Sequence, residues 1–270
     1  MNKPVHASAA LLTYRLPQAV GGSGVAVVDV IIVDLRDDDG TTGMGFSYVL
    51  GGNGGVAFKA AQDQVARFVH GQTLPPPQAL WRRIAASFNR SGAGPNLVAL
   101  AAIDVAAWDL ASRRAGLPLG SFMGGEARPV PVYGSGGFNA GQSPGEAAET
   151  ALGQIARGLT AVKPRVRGAR SDAALLAAVR AAIPERMHVM ADANEKCDLP
   201  HALWLMALAR DQGLLFVEEP VAASAVEAYR TLAGVHGAAV ATGEHLQGRT
   251  AFMPFLAERL AAVIQPDLAM

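Results

Sequence analysis

Three short apolar runs in the second half of the chain each end in an acidic residue, and the interval between these acids is constant. Asp192 and Glu218 are 26 residues apart, and Glu218 and Glu244 are again 26 residues apart. One strand, one loop and one helix together account for about that length in a βα unit. The spacing therefore predicts that the acids lie at the C-terminal ends of three successive buried strands.

The chemistry of such a set of acids is restricted. In a parallel barrel, the C-terminal ends of the strands form the face on which active sites are built. Three carboxylates that converge there repel one another unless they share protons or hold a cation. Ligation by oxygen alone suits a hard divalent ion, with Mg2+ as the first choice. We therefore predict a metal site formed by Asp192, Glu218 and Glu244.

Composition excludes several classes of function. The chain has 270 residues, of which half are hydrophobic and 17% are charged, so it can bury one large core or two modest ones. A formal net charge of zero favours neither nucleic acid nor an anionic membrane as a partner. The single cysteine, Cys197, excludes an internal disulfide and fits a reducing compartment. Without a long apolar run or a signal-like N-terminus, a cytoplasmic protein is predicted.

The first part of the chain predicts a small α+β domain. Alternating and β-branched stretches predict strands at residues 8–14, 25–35 and 44–50, with a turn at 37–43. Helical periodicity predicts helices at 56–70, 78–89 and 96–115. Two glycine-rich tracts, at 16–24 and 51–55, are interpreted either as a mobile lid or as ordinary surface turns. Asp104 and Asp109 on the third helix are interpreted as structural, with Arg113 four residues after Asp109.

From Val130 onward, short apolar strands alternate with helices. This pattern predicts an α/β array whose strands are buried on both faces, with domains at residues 1–125 and 126–270. The predicted strands are 130–133, 159–166, 187–191, 214–217, 238–242 and 260–264. The predicted helices are 145–157, 171–182, 199–212, 224–233 and 249–258.

Two cations on the second predicted barrel strand are candidate site residues. Lys163 and Arg165 are two residues apart, so on a strand their side chains point to the same face. Positive charge opposite three acids and a metal suits a carboxylate substrate, although the pair can also simply balance the acids. Lys163 can lose its proton if nearby positive charge depresses its pKa. Arg165 stays protonated because the pKa of arginine lies above ~12, so its predicted role is electrostatic.

Other polar residues near the strand ends complete the candidate site. Asn194 shares a strand face with Asp192 and is a candidate substrate contact. Glu219 points to the other face or lies beyond the strand end, where it is suited to hydrogen bonding rather than ligation. Asp267 follows the sixth strand and is predicted to orient a histidine or lysine that exchanges protons. His245 is the candidate partner nearest to it in sequence.

These residues resemble the pattern of a known family. The chain is similar to the enolase superfamily, in the mandelate racemase and muconate lactonizing enzyme branch. The matching segments span nearly the whole chain and are Ala101-Ala-Ile-Asp-Val-Ala-Ala-Trp-Asp-Leu110, Gly116-Leu-Pro118, Lys163-Pro-Arg165, Asp192-Ala-Asn194, Glu218-Glu-Pro220, Gly243-Glu244 and Gln265-Pro-Asp267.

The resemblance implies a fold and a reaction class. It implies an α+β capping domain followed by a modified (β/α) barrel, with Mg2+ on Asp192, Glu218 and Glu244. It implies abstraction of the proton alpha to a carboxylate, with the metal stabilising the enediolate. A glutamate as third ligand is similar to the racemase and acid-sugar dehydratase subgroups. The glycine-rich segments at 17–24 and 48–55 would cover the substrate, Tyr48 would contact it, and homo-oligomers are expected.

The chain also departs from the family pattern. The family usually carries Lys-x-Lys on the second strand, with the second lysine as a base, and Arg165 stands in that place here. The resemblance therefore implies either a base on the opposite face or an Arg165 that acts in an unusual state. That base is often a histidine on a seventh strand, but residues 130–270 leave room for only about six βα units. An incomplete, C-terminally truncated barrel is therefore expected. Three explanations stay open: the sequence is a fragment, a second copy closes the gap, or the barrel is truncated and inactive. Acid-sugar dehydration is the first functional hypothesis. The alternatives are a 2-hydroxy acid racemase or epimerase, and a truncated homologue that binds a metal or a partner without turnover.

Overall fold

Two compact units make up the structure, a computed structural model that describes residues 4–20, 24–139, 141–235 and 237–270. The first unit contains residues 4–19, 25–129 and 267–270, and the second contains residues 130–266 with 20 and 24. The predicted fold class is confirmed. An α+β domain precedes a parallel β/α domain with an incomplete set of barrel strands.

The first unit is a three-stranded sheet with helices packed on one face. The elements are β1 (His6–Val20), β2 (Val25–Arg36), β3 (Thr42–Leu50), α1 (Gly54–Phe68), α2 (Pro77–Ala85), a 3-10 turn (Ala86–Asn89), α3 (Gly94–Arg114) and α4 (Leu119–Phe122). The strands lie in the order β1-β2-β3, and β2 pairs with β3 in antiparallel register from Val28–Leu50 to Arg36–Thr42.

The long helix α3 forms the centre of this unit's core. It lies so close to β3 that a side chain at Gly45 would place its Cβ 2.2 Å from the Ala102 carbonyl oxygen. Small residues on both surfaces therefore allow the helix and the sheet to approach closely. Among the described residues, α3 alone has the length and apolarity that a membrane span needs. Its buried residues pack in the same cluster as the inward-facing β2 residues Ile31 and Val33.

The second unit is a series of parallel strands joined by helices. The elements are α5 (Pro144–Ala156), β4 (Ala161–Val162), α6 (Asp172–Ala182), β5 (His188–Val189), β6 (Ala191–Asp192), α7 (Leu199–Asp211), β7 (Phe216–Glu218), α8 (Val226–Ala233), β8 (Ala239–Thr242), α9 (Gly248–Ala257) and β9 (Val263–Ile264). β4 pairs with β5, and β6 to β9 pair in chain order.

The strands are packed on both faces, as predicted for a parallel sheet. The outer cluster joins the strands to helices α5 to α9, with Leu176, Leu205 and Tyr229 among its most buried residues. A smaller cluster, made by Ala161, Met190, Phe216 and Ala241, packs separately from the outer one. The strand ends are therefore fixed by apolar contacts on both faces.

The predicted strand at residues 130–133 is wrong. Only a single parallel bridge between Gly134 and Val162 forms next to β4. Val130 and Val132 remain mostly exposed, so this segment has no apolar layer to hold it as a strand.

The second glycine-rich tract is only partly a turn. Helix α1 begins at Gly54, and the Asp29 carboxylate accepts a 2.8 Å hydrogen bond from the Gly54 amide at its N-terminus. A buried acid at a helix N-terminus stabilises the first turn, which explains why the helix starts inside the tract. In the first tract, β1 extends to Val20, and residues 21–23 lie outside the described part of the chain.

Candidate metal and substrate site

Two of the predicted ligands lie side by side at strand ends. Asp192 is the last residue of β6, Glu218 is the last residue of β7, and the two are direct partners in the parallel register. β8 ends at Thr242, two residues before Glu244. Asp192, Glu218 and Glu244 therefore lie at or just beyond the C-terminal ends of three successive strands, as the spacing predicted.

Lys163 lies between the two paired acids. The Lys163 side chain is buried. Its Nζ contacts Glu218 Oε2 and lies 3.3 Å from Asp192 Oδ2. Burial lowers the pKa of Lys163, but the negative charges of Asp192 and Glu218 outweigh this effect and raise the pKa overall. The ammonium group is thus held as a cation shared by two carboxylates.

Arg165 also contacts Asp192, at the end of β6. Its Nη1 donates to Asp192 Oδ2 and, at 2.5 Å, to Asn194 Oδ1. The Asn194 amide donates to Asp192 Oδ1 at 2.9 Å, and Asn194 has a positive φ of 44°. Lys163, Arg165, Asp192 and Asn194 therefore form one connected network. The predicted strand placement is wrong for three of them, because Lys163 and Arg165 follow the end of β4 and Asn194, with its positive φ, follows the end of β6.

Two residues of this network were not singled out from the sequence. Gln265 Nε2 donates to Glu218 Oε2 at 2.8 Å and lies 3.4 Å from the Tyr133 hydroxyl. The Tyr133 ring lies 5.2 Å from Lys163 Nζ, within the range of a cation–π contact. Gln265 belongs to the matched Gln-Pro-Asp segment, and that position was the available signal for it. Tyr133 lies in the segment that was wrongly predicted as a strand, and it belongs to none of the matched segments, so no signal in the sequence indicated it.

Glu244 lies in a second, more acidic part of the site. Its carboxylate has no hydrogen bond within the described part of the chain, and its nearest cation is His245 Nδ1 at 3.9 Å. Burial raises the pKa of Glu244 to about 7, with further contributions from the charges of Glu219, Glu218 and Asp192. The preceding Gly243 is required for close packing, because a Cβ there would lie 2.7 Å from the Gln265 backbone.

His245 is bound to Glu219. Its Nδ1 lies 2.9 Å from both carboxylate oxygens of Glu219, which is completely buried. This hydrogen bond is the largest cause that raises the pKa of His245 to about 9. Glu219 follows the end of β7 and hydrogen-bonds a side chain, in agreement with its interpretation from sequence.

The expected pairing of Asp267 with a histidine or lysine is not found among the residues that the structure describes. Asp267 Oδ2 accepts a 2.6 Å hydrogen bond from the Tyr48 hydroxyl, and Oδ1 accepts one from the Ala269 amide at 2.7 Å. The Tyr48 amide also donates to the Ala269 carbonyl. These contacts place residues 267–270 in the first unit, beside β3. His245 is unavailable as a partner because it binds Glu219.

The donor set fits a hard cation. Asp192, Glu218 and Glu244 offer only carboxylate oxygens, the ligands that Mg2+ prefers. Glu218 Oε1 accepts no hydrogen bond from any described residue, and the carboxylate of Glu244 accepts none either. One group of potential ligand atoms among the described residues lies within 4.8 Å of one another, and it consists of Glu195, Glu219 and His245. Asp192, Glu218 and Glu244 do not form such a group, so the structure does not bring ligand atoms of all three predicted acids within 4.8 Å of one another.

Comparison with known proteins gives two family matches. Residues 6–124 match the mandelate racemase / muconate lactonizing enzyme N-terminal domain. Residues 146–270 match the enolase C-terminal domain-like family. Together the two matches cover most of the chain.

Individual relatives point to acid-sugar enzymes. The chain is 29% identical to L-talarate/galactarate dehydratase of Salmonella typhimurium and 30% identical to D-galactarolactone cycloisomerase of Agrobacterium fabrum, with 89% and 88% of this chain covered. It spans only 61% and 63% of the lengths of these relatives. L-talarate dehydratase from Polaromonas sp. JS666, solved with Mg and L-glucarate, superposes with a TM-score of 0.86 at 26% identity, covering 98% of this chain and 73% of that one.

Proposed function

Since the chain belongs to the enolase superfamily, in its mandelate racemase and muconate lactonizing enzyme branch, we propose that it binds Mg2+ and removes the proton alpha to a carboxylate of an acid sugar. The observation that carries the proposal is the pairing of Asp192 and Glu218 at adjacent strand ends around one cationic group. Dehydration is the proposed outcome, because acid-sugar dehydratases recur among the relatives.

The proposed ligands are Asp192, Glu218 and Glu244. Asp192 and Glu218 share the positive charge of Lys163, and the pKa of Glu244 is raised first by burial and then by the charges of Glu219, Glu218 and Asp192. When bound, Mg2+ supplies Lewis-acid stabilisation of negative charge on carboxylate oxygens. The related structure solved with Mg and L-glucarate supports this cofactor.

Lys163 and Arg165 supply the remaining positive charge. Removing a proton alpha to a carboxylate places negative charge on that carboxylate, and fixed cations beside it stabilise the charge as it develops. Arg165 stays protonated, so its proposed role is electrostatic and not that of a base. Asn194 orients Arg165 through its 2.5 Å hydrogen bond and remains a candidate substrate contact.

The roles of Tyr48 and Asp267 stay predictions. The bond between them means that a substrate contact by Tyr48 would have to form alongside, or in place of, its hydrogen bond to Asp267. A cytoplasmic location and a homo-oligomer also remain expectations from the sequence and the family.

The metal site is tested by calorimetry. Titration of the full chain with Mg2+ should give one site, and Asp192→Asn should weaken binding by at least ten-fold, since it removes a ligand charge. Asp211→Asn is the matched control, because Asp211 pairs with Arg210 on an exposed helix end. Unchanged affinity in Asp192→Asn would overturn the ligand assignment.

The reaction is tested with galactarate, L-talarate and gluconate in D2O, followed by NMR. Dehydration breaks the C–H bond alpha to the carboxylate and the C–O bond at the next carbon, releases water, and gives a 2-keto-3-deoxy acid after the enol tautomerises. This product supports the proposal. Deuterium exchange at the alpha carbon with the hydroxyl retained would instead identify the reaction as racemisation or epimerisation. Mg2+ binding with neither change would instead identify a metal-binding homologue without turnover.

A further inference from the structure

Glu219 is a buried acid that the proposed reaction does not use. It lies directly after β7 in a left-handed backbone conformation, with a φ of 39°, and its side chain is completely buried. Its amide donates to the Ala241 carbonyl, and its carbonyl accepts from the Glu195 amide, both at 2.9 Å. Glu219 is thus fixed by the strand ends on either side. An ionised carboxylate buried in this way requires a hydrogen-bond donor.

His245 provides that donor. An ionised carboxylate only accepts hydrogen bonds, so Nδ1 of His245 carries the proton that faces the two Glu219 oxygens. The imidazole is the side chain directly after Glu244 in the chain. Binding the ring to Glu219 therefore fixes the backbone at Glu244 relative to β7, the strand that ends in Glu218.

Glu244 depends on this contact more than the other two acids do. Asp192 and Glu218 lie in regular strands and accept hydrogen bonds from Lys163, Arg165 or Gln265. Glu244 lies beyond the end of β8, and its own carboxylate has no hydrogen bond within the described residues. Its position is set by its neighbours, namely Gly243 packed on the Gln265 backbone and His245 bound to Glu219.

The group formed by Glu195, Glu219 and His245 is better explained as this contact than as a separate cation site. Both Glu219 oxygens already accept from His245 Nδ1, and Glu195 Oε1 accepts a 2.5 Å hydrogen bond from the Ala223 amide. The ligand atoms that lie within 4.8 Å of one another are therefore largely engaged with donors of the chain itself.

We infer that Glu219 and His245 are positioning residues that hold the backbone at Glu244 relative to the end of β7, so that the Glu244 carboxylate can join Asp192 and Glu218 around a divalent cation. This inference rests on the proposed metal site. Hydrogen-bonded partners behind metal ligands typically change metal affinity by about 10- to 100-fold when they are removed. The pair connects the end of β7 to the residue that follows Glu244, so one hydrogen bond couples two of the three ligands.

The test compares two substitutions of one residue. His245→Leu keeps an apolar side chain of similar bulk and removes the donor, whereas His245→Asn keeps an N–H group near the position of Nδ1. Mg2+ titration calorimetry of the full chain should show about a 10- to 100-fold loss of affinity for His245→Leu. His245→Asn should bind within a few-fold of the unsubstituted chain. Rescue by the asparagine would separate the hydrogen bond from general packing.

Glu244→Gln serves as the reference for the proposed function. If Glu244→Gln weakens Mg2+ binding and His245→Leu does not, the positioning role is wrong while the ligand assignment stands. If Glu244→Gln binds as tightly as the unsubstituted chain, the ligand assignment itself is wrong. Equal losses in His245→Leu and His245→Asn would also contradict the inference, because packing rather than the hydrogen bond would then be responsible.

A second pair of variants covers a failure of His245→Leu to fold, which urea denaturation would reveal. Glu219→Gln keeps an oxygen that accepts from Nδ1, and Glu219→Met removes it at similar volume. We expect Glu219→Met to lose Mg2+ affinity by about 10- to 100-fold and Glu219→Gln to stay within a few-fold of the unsubstituted chain. Equal affinities of Glu219→Gln and Glu219→Met would overturn the positioning role.

Discussion

The acids of the two units differ in how they are paired. In the first unit, the buried acids Asp29 and Asp37 have donors of their own: Asp37 accepts both hydrogen bonds of the Arg114 fork, and Asp29 accepts from Thr13 and the Gly54 amide. In the second unit, Asp192 and Glu218 share Lys163, and Glu244 has no hydrogen bond from a described residue. Acids that have their own hydrogen-bond donors stabilise the fold. Acids that share too few cations are arranged to bind an additional cation.

The difference has an electrostatic consequence. In the second unit, burial raises the pKa of Glu244 most, and the negative charges of Glu219, Glu218 and Asp192 raise it further. In the first unit, the pKa of Asp29 is lowered by the Thr13 hydroxyl and then by the Gly54 amide, both close donors. Divalent ions should therefore change the stability of variants substituted in the second unit and leave the stability of variants substituted in the first unit unchanged.

The largest expected effect is that of Lys163→Met. This change removes the cation between two buried carboxylates, so the free energy of unfolding without divalent ions should fall by about 3–5 kcal/mol. Mg2+ should then raise the urea midpoint of this variant more than that of the unsubstituted chain, because the acids no longer bind an ammonium group. A variant as stable as the unsubstituted chain in chelator would show that Lys163 does not balance these acids.

A smaller effect is expected for Arg114→Met in the first unit. Loss of the fork on the buried Asp37 should lower the free energy of unfolding by about 2 kcal/mol, the typical size for hydrogen bonds to a charged group. Mg2+ should not restore it. Arg113→Met is the matched control, since its pair with Asp109 is an exposed i,i+4 contact, for which roughly 0.3–0.5 kcal/mol is typical. If Mg2+ restored the stability of Arg114→Met, the proposed difference between the two units in their response to divalent ions would be wrong.

The smallest effect concerns pH and Asp104 on α3. Burial raises the pKa of this acid from 3.8 to about 6. Because the pKa is higher in the folded state, the stability contributed by the neutral acid is complete below about pH 4 and is lost as the pH rises through 6. Asp104→Asn should therefore stabilise the chain at pH 8 by about 1 kcal/mol, after allowance for solvent screening, and leave it unchanged at pH 4.

The control for this pH effect is Asp63→Asn, which removes an exposed acid paired with Arg67. Thermal unfolding at pH 4 and pH 8 should separate the two variants, since only Asp104→Asn gains stability between them. A gain for Asp104→Asn that is equal at both pH values would show that burial of its charge is not the cause.

Much of the site could be predicted because strand ends follow from apolar runs. The spacing of Asp192 and Glu218 placed both at the ends of parallel strands, and the register makes them direct partners. Lys163 and Arg165 were predicted on one face and both contact Asp192. The exposed pair of Asp109 and Arg113, expected from its i,i+4 spacing, is confirmed.

Contacts that depend on backbone bends could not be predicted in this way. Alternation along a strand stops at Glu219, whose positive φ turns its side chain toward His245. Asp267 was assigned to the end of the last strand from its position, but its hydrogen bonds are to Tyr48 and Ala269. In neither case does a local pattern of residue types specify the partner.

The sequence alone determined the family, the order of the βα units and the identity of the acids, because apolar periodicity and fixed spacing are properties of consecutive residues. Only the tertiary structure decided which donor each acid binds. Hydrogen bonds between residues such as Tyr48 and Asp267 join segments more than two hundred positions apart. Such pairs form when whole helices and strands pack together. A change in a single backbone dihedral angle can then give a side chain a different hydrogen-bond partner.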